Sequence, residues 1–142
     1  MKHLSEDQES LILKAIRSAE RKTSGEIRVH IESHCGGHPV ERAEVLFHYL
    51  GMHQTDLQNG VLFYLALKDR KFSIIGDKAI DAKVPAEFWE TIRDEMRPLL
   101  ANNQIELALE VGIGKAGEAL SIYFPYQKDD INELSDEISY GV

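Results

Sequence analysis

The sequence predicts an α/β fold, a three-layer α/β/α sandwich around a small mixed sheet. Three observations predict it. Short segments with the two-residue period of a strand alternate with longer segments of helical period. One run, Val61 to Leu67, is apolar on both faces, as a central strand covered on both sides must be. The order helix, strand, helix, strand, strand, helix, helix allows two parallel strands to be joined through a helix.

Ser5 with Gln8 three residues later is a capping-box pattern, and Glu6 and Asp7 suit the positive end of a helix. Leu11, Ile12, Ala15, Ile16 and Ala19 continue it as an amphipathic helix that stops before Thr23-Ser24-Gly25. From Glu26 to Glu32 the pattern alternates. Ile27, Val29 and Ile31 share one face, and Glu26, Arg28, His30 and Glu32 the other, which predicts a half-buried strand near a sheet edge. His34 to Pro39 is a loop by its glycines and proline. A second helix carries Ala43, Leu46, Phe47 and Leu50 and closes at Gly51.

Residues 52 to 59 lead into the central strand, Lys68-Asp69-Arg70 turns, and Lys71 to Ile75 returns antiparallel, ending at Gly76-Asp77. Pro85 stands at a plausible helix start before Phe88, Trp89, Ile92 and Met96, and Pro98 is expected to end or kink that helix. Ile105 to Leu120 is the last helix, with small residues at 112, 116 and 117 that allow close packing on the sheet, and Phe124-Pro125 stops it. The tail to Val142 lacks periodicity. This topology is Rossmann-like, and it brings Gly25-Glu26, Asn59-Gly60 and Gly76-Asp77 to one rim of the sheet. Glu32, His34 and Lys68 to Arg70 fall on the opposite rim. Residues 1–142 read as a single domain with 124–142 as an acidic tail.

Composition narrows the partners. The formal net charge of -8, from 24 acidic and 16 basic residues, repels a phosphate backbone, so no nucleic acid is expected. Acid is concentrated at Asp129, Asp130, Glu133, Asp136 and Glu137, a field that favours metal ions or a basic protein partner. The N-terminus has no apolar signal-like stretch, and no run reaches the ~20 apolar residues of a membrane span. With a single cysteine, Cys35, the expectation is a cytoplasmic protein without a membrane partner.

No phosphate-binding glycine loop, nucleophile elbow, zinc-protease helix motif or paired CxxC is present. The predicted rim is richer. Asp56, Asn59, Asp77 and Asp81 flank the second and third strands, with Glu26 adjacent, and hard cations such as calcium take oxygens of these kinds. The competing role for Asn59-Gly60 and Gly76-Asp77 is that of turn residues bonded to their own backbone. His30, His34, Cys35 and His38 raise a zinc site, against which loose surface histidines are the commoner arrangement. Arg70 could hold a phosphate through its guanidinium, or pair with Asp69.

Taken together, several segments resemble the TPM domain family, which includes a thylakoid-lumen acid phosphatase and many short bacterial proteins. They are Thr23-Ser24-Gly25-Glu26-Ile27, Leu46-Phe47 with Leu50-Gly51-Met52, Asn59-Gly60-Val61-Leu62, Asp69-Arg70-Lys71-Phe72 and Ile75-Gly76-Asp77. Phe88-Trp89, the region from Gly112 to Gly117, Phe124-Pro125 and Asn132 to Ile138 complete the pattern, which runs from about residue 5 to 140. The resemblance is to the short, soluble bacterial branch. It implies an α/β/α sandwich, calcium binding and, for some members, weak acid phosphatase activity. The positions that match are Glu26, Asn59, Gly60, Arg70, Gly76 and Asp77. One departure is local: many members have glycine-x-glycine-leucine-glutamate after the third strand, where this chain reads Gly76-Asp77-Lys78-Ala79-Ile80-Asp81.

The expectation is therefore a calcium-binding domain acting as a metal-dependent binding or interaction module. Its metal ligands would come from Glu26, Asp56, Asn59, Asp77 and Asp81. The alternative is a metal-dependent acid phosphatase of low activity, with Arg70 contacting the phosphate.

Overall fold

The computed structural model of the protein describes residues 4–126 and 138–141. Ser5 caps helix α1 (Glu6–Glu20): its hydroxyl accepts from Gln8 N, and the Gln8 side chain accepts from Ser5 N in return. Strand β1 (Glu26–Glu32), helix α2 (Pro39–Tyr49), strand β2 (Gly60–Ala66) and strand β3 (Lys71–Gly76) follow. The remaining elements are α3 (Lys78–Asp81), α4 (Phe88–Ala101), α5 (Ile105–Tyr123) and β4 (Ser139–Tyr140).

The sheet order is β3-β2-β1-β4. β1 and β2 are parallel, with Glu26 opposite Gly60 and Glu32 opposite Ala66. β3 returns antiparallel, with Val61 opposite Gly76 and Ala66 opposite Lys71. Alternation then sorts the side chains into two cores. Ile27, Val29, Ile31, Val61, Phe63, Leu65 and Ile74 pack against α1, α4 and α5. Leu62, Tyr64 and Ala66 pack against Ala43, Leu46 and Phe47 of α2, with Met52 beneath them. The result is the expected sandwich.

Three expectations are corrected. β1 is not near an edge, because β4 pairs with it in parallel at His30–Ser139 and Ile31–Tyr140. The polar face of β1 is therefore buried: Glu26, His30 and Glu32 are each at most 4% exposed. A two-residue strand has no period to read, so the aperiodic tail concealed it. Pro98 does not end α4, which continues to Ala101 while Met96, Leu99 and Leu100 hold the core side of that turn. That helix also begins at Phe88, after a turn at Pro85, and not at Pro85 itself.

Close approach explains two glycines of α5. A Cβ at Gly112 would stand 2.6 Å from Met96 Sδ and 3.0 Å from Phe63 Cε1, and one at Gly117 would stand 2.8 Å from Ala19 Cβ. The first lets α5 meet the sheet and α4; the second lets it meet α1.

Candidate functional site

The two ends of the sheet carry different chemistry. At the end where β1 and β2 begin, Glu26, Asn59-Gly60 and Asp77 stand side by side on three neighbouring strands. Glu26 N donates to Asn59 O at 3.3 Å, Asp77 N to Gly60 O at 3.0 Å, and Ala79 N to Gln58 O at 3.2 Å. The loop before β2 is tightened by Gln58 N donating to Thr55 O, with Gln58 in the left-handed region at φ 50°. Asn59 is 1% exposed, and its amide nitrogen lies 3.5 Å from Ser24 Oγ.

Asp77 is the N-cap of α3, and its Oδ1 accepts from Lys78 N at 2.8 Å. Its other oxygen, Oδ2, is buried without a hydrogen-bond partner, as is Thr55 Oγ1. Asp56 is exposed on the loop between them. Asp81, one turn along α3, is also exposed and accepts from Trp89 Nε1 at 2.9 Å. Strand register thus brings Glu26, Asn59-Gly60 and Asp77 to one end of the sheet, with Asp56 on the adjoining loop and Asp81 on α3. Among the described residues, no three His, Cys, Asp or Glu side chains are grouped to hold a metal ion.

At the other end, where β1 and β2 finish, four polar side chains interlock under α2. Arg42 Nε donates to Glu32 Oε2 at 2.9 Å and its terminal nitrogen to Oε1 at 3.0 Å, a two-pronged pair. The Tyr64 hydroxyl donates to Glu32 Oε2 at 2.5 Å. His30 Nε2 lies 3.3 Å from Glu32 Oε1 and His30 Nδ1 lies 2.7 Å from Ser139 Oγ.

Burial alone would raise the Glu32 carboxyl, but hydrogen bonds from Arg42 and Tyr64 outweigh it and hold Glu32 at about 2. Burial lowers His30, with the neighbouring Glu32 opposing. Neutral His30 can donate through Nε2 to Glu32, with Nδ1 beside Ser139 Oγ, which also lies 3.3 Å from Val29 O. The Tyr64 phenol is pushed far up by burial and by its bond to Glu32.

Gly141 seals this cluster. Its N donates to Ile31 O at 2.8 Å, and a Cβ there would overlap the Glu32 carboxylate and stand 2.7 Å from Glu32 Cβ. Beyond it lies an exposed pair, His34 Nδ1 with Asp69 Oδ1 at 2.7 Å, while Asp69 Oδ2 accepts from Cys35 N. The four residues considered for zinc therefore have separate partners. His30 and His34 are engaged as described, His38 Nδ1 accepts from Val40 N to cap α2, and Cys35 Sγ donates to Gly37 O. Arg70 stands in the β2–β3 turn at φ 54°, at the opposite end of β3 from Asp77.

With this geometry in place, the TPM domain model matches residues 1–119. The chain belongs to the TPM domain family. It is similar to the BA42 protein of the psychrophilic bacterium Bizionia argentinensis, solved by NMR. The two are 46% identical over 99% of this chain and 97% of the other, with a TM-score of 0.92. It also shares its fold with the N-terminal domain of the cg2496 protein of Corynebacterium glutamicum. That match has 13% identity and a TM-score of 0.66, over 96% of this chain and 80% of that one. No curated protein matches the chain.

In this TPM domain the residues that sequence reasoning missed are Arg42, Tyr64, Ser139 and Gly141. Arg42 sits ten positions after Glu32 on another element, and Tyr64 lies inside an apolar run. Neither position carries a local pattern that would join it to Glu32. Thr55 gave a weak signal, as a small polar residue in the loop beside Asp56. No helix among the described residues is long and apolar enough to cross a membrane.

Proposed function

We propose that this TPM domain is a metal-dependent binding module whose rim at Glu26, Asn59 and Asp77 takes calcium. The observation that carries this is the orphaned carboxylate oxygen of Asp77. A buried acceptor left unsatisfied costs about 1–3 kcal/mol, so an oxygen kept there asks for a partner. Thr55 Oγ1, orphaned in the adjoining loop, and the buried Asn59 amide add neutral oxygens beside the carboxylates. Calcium accepts that mixture, taking six to eight oxygens from carboxylates, amides, carbonyls and water. A zinc site would need nitrogen or sulfur ligands in closed geometry, which this rim lacks.

Asp77 would be the anchoring ligand, with Thr55 and Asn59 beside it and Glu26 and Asp56 adding negative charge. Asp81 would act from the margin, since its Oδ1 is already bonded to Trp89. Bound calcium would stiffen the loop from Thr55 to Asn59 and present the rim to a protein partner.

Phosphoester hydrolysis is the less supported reading. It needs the metal and an anion clamp on one phosphoryl group. Arg70 and Asp77 flank the six-residue strand β3, which separates them by roughly 20 Å at ~3.3 Å per residue.

Calorimetric titration of metal-stripped protein with calcium chloride tests the reading. Saturable heat is expected for the natural protein, with affinity reduced at least tenfold in Asp77→Asn, which keeps the helix cap but loses the charge. Equal uptake by both proteins would remove the rim as the site.

A further inference from the structure

A cleft of about 750 Å³ opens at the end of the sheet remote from Asp77, between the β2–β3 turn and the α4–α5 turn. Its volume lies within the range of small-molecule sites. Its floor is apolar, formed by Leu65, Leu67, Phe72, Leu100 and Ile105. Its rim is cationic: among the described residues Lys68, Arg70, Lys71 and Arg97 line it and no carboxylate does, in a chain whose net charge is -8.

Two of these cations are already engaged. Arg97 pairs with Asp94 and lies 6.0 Å from the Phe72 ring centroid, and Lys71 Nζ donates to Gly37 O at 3.1 Å. Among the described residues, Lys68 and Arg70 have no ion pair. Asp69 between them pairs with neither, its two oxygens being bonded to His34 Nδ1 and Cys35 N.

The backbone adds an independent sign. Of the three described non-glycine residues with positive φ, two line this cleft, Arg70 at 54° and Asn103 at 59°. Glycine or asparagine fits that conformation with least strain, so a long cationic side chain at position 70 is held there against local preference. The cleft also lies outside the carboxyl end of β2, where open α/β sheets bind ligands.

We propose that this cleft binds an organic acid with an apolar body, its carboxylate on Lys68 and Arg70 and its body on the Leu67, Phe72 and Leu100 floor. The charge pattern selects the anion, and the apolar floor selects against small hydrophilic anions. The site is separate from the calcium rim, and neither depends on the other.

Octanoate, octanol and acetate, each titrated against the full chain in amide NMR spectra, separate the two halves of this recognition. Octanoate is expected to give saturable shifts at Leu67, Phe72, Ala101 and Asn103, with octanol and acetate each at least tenfold weaker. The double variant Lys68→Gln with Arg70→Asn should weaken octanoate at least tenfold and leave octanol unchanged; asparagine tolerates the left-handed turn. Ala101→Glu, on an exposed lining position, should weaken octanoate by placing a like charge in the cleft without touching the turn. Equal binding of octanoate and octanol, or full affinity in both variants, would overturn the proposal. So would an absence of saturation with octanoate below about 10 mM.

Discussion

The Tyr64 hydroxyl reaches diagonally from β2 to Glu32 on β1 and donates to its Oε2 at 2.5 Å. The register pairs Tyr64 with His30 and Glu32 with Ala66, so one phenol spans two residue positions of the sheet. With Arg42 bonding the same carboxylate through two nitrogens, Glu32 is a buried charge whose lone pairs are taken up by three neighbours. This cluster ties β1, β2 and α2 together and rests against β4.

Removing the carboxylate leaves Arg42 and Tyr64 without their acceptor. Glu32→Ala is expected to destabilise the domain by about 3 kcal/mol and Tyr64→Phe by about 1–2 kcal/mol. The double variant should cost less than the sum, with a coupling of at least about 0.5 kcal/mol in urea unfolding. Strict additivity would mean that the bond contributes nothing.

The same cluster sets the acid response. His30 lies below its ordinary value of 6.5 in the folded protein, with burial the main cause and Glu32, Arg42 and Arg28 around it. The unfolded chain therefore takes up a proton at a higher pH than the folded one, and stability should fall as pH drops from 7 to 5. Glu32, held at about 2 against an ordinary 4.5, contributes stability that is full above 4.5 and lost as pH falls toward 2. Unfolding midpoints measured at closely spaced pH values should show both limbs. His30→Gln should flatten the upper limb and Glu32→Gln the lower one.

Glycines separate close packing from helix propensity. Gly112 meets Met96 and Phe63, so Gly112→Ala should cost about 1–3 kcal/mol through overpacking. Gly114 lies two positions along α5, where an added methyl would have nothing within 4 Å, so Gly114→Ala should stabilise the helix by about 0.5–1 kcal/mol. Gly141→Ala would push against Glu32 and His30 and should loosen β4, read as faster amide exchange at Gly141, whose N–H bonds Ile31 O. Thermal unfolding shifts of opposite sign in the first two variants are expected; an unchanged or raised midpoint in Gly112→Ala would count against close packing there.

Much of this architecture is legible in the chain because local periodicity and burial agree. The apolar run from Val61 is the covered strand, and Ser5 with Gln8 is the cap of α1. The alternation of Glu26 to Glu32 reveals the strand but not the burial of its polar face. Burial of Glu32 depends on Arg42, Tyr64 and Gly141, and contacts between distant positions leave no period in the sequence. Pro98 is a related case, since the core contacts of Met96, Leu99 and Leu100 outweigh a local helix-breaking preference. At the candidate rim, Glu26, Asn59 and Asp77 could be brought together from strand order alone. The orphaned oxygens of Thr55 and Asp77 could not, because satisfaction of a polar atom is a property of its folded neighbours. The acidic residues from Asp129 to Glu137 lie outside the described residues.

Calcium binding at the rim around Asp77 is tested most directly by a calcium titration of metal-stripped protein, followed residue by residue in amide NMR spectra, alongside Asp77→Asn. Saturable shifts are predicted at Glu26, Thr55, Asn59, Asp77 and Lys78 in the natural protein, with their loss in the variant. Spectra that do not move, or that move only at residues 129 to 137, would contradict calcium binding at this rim.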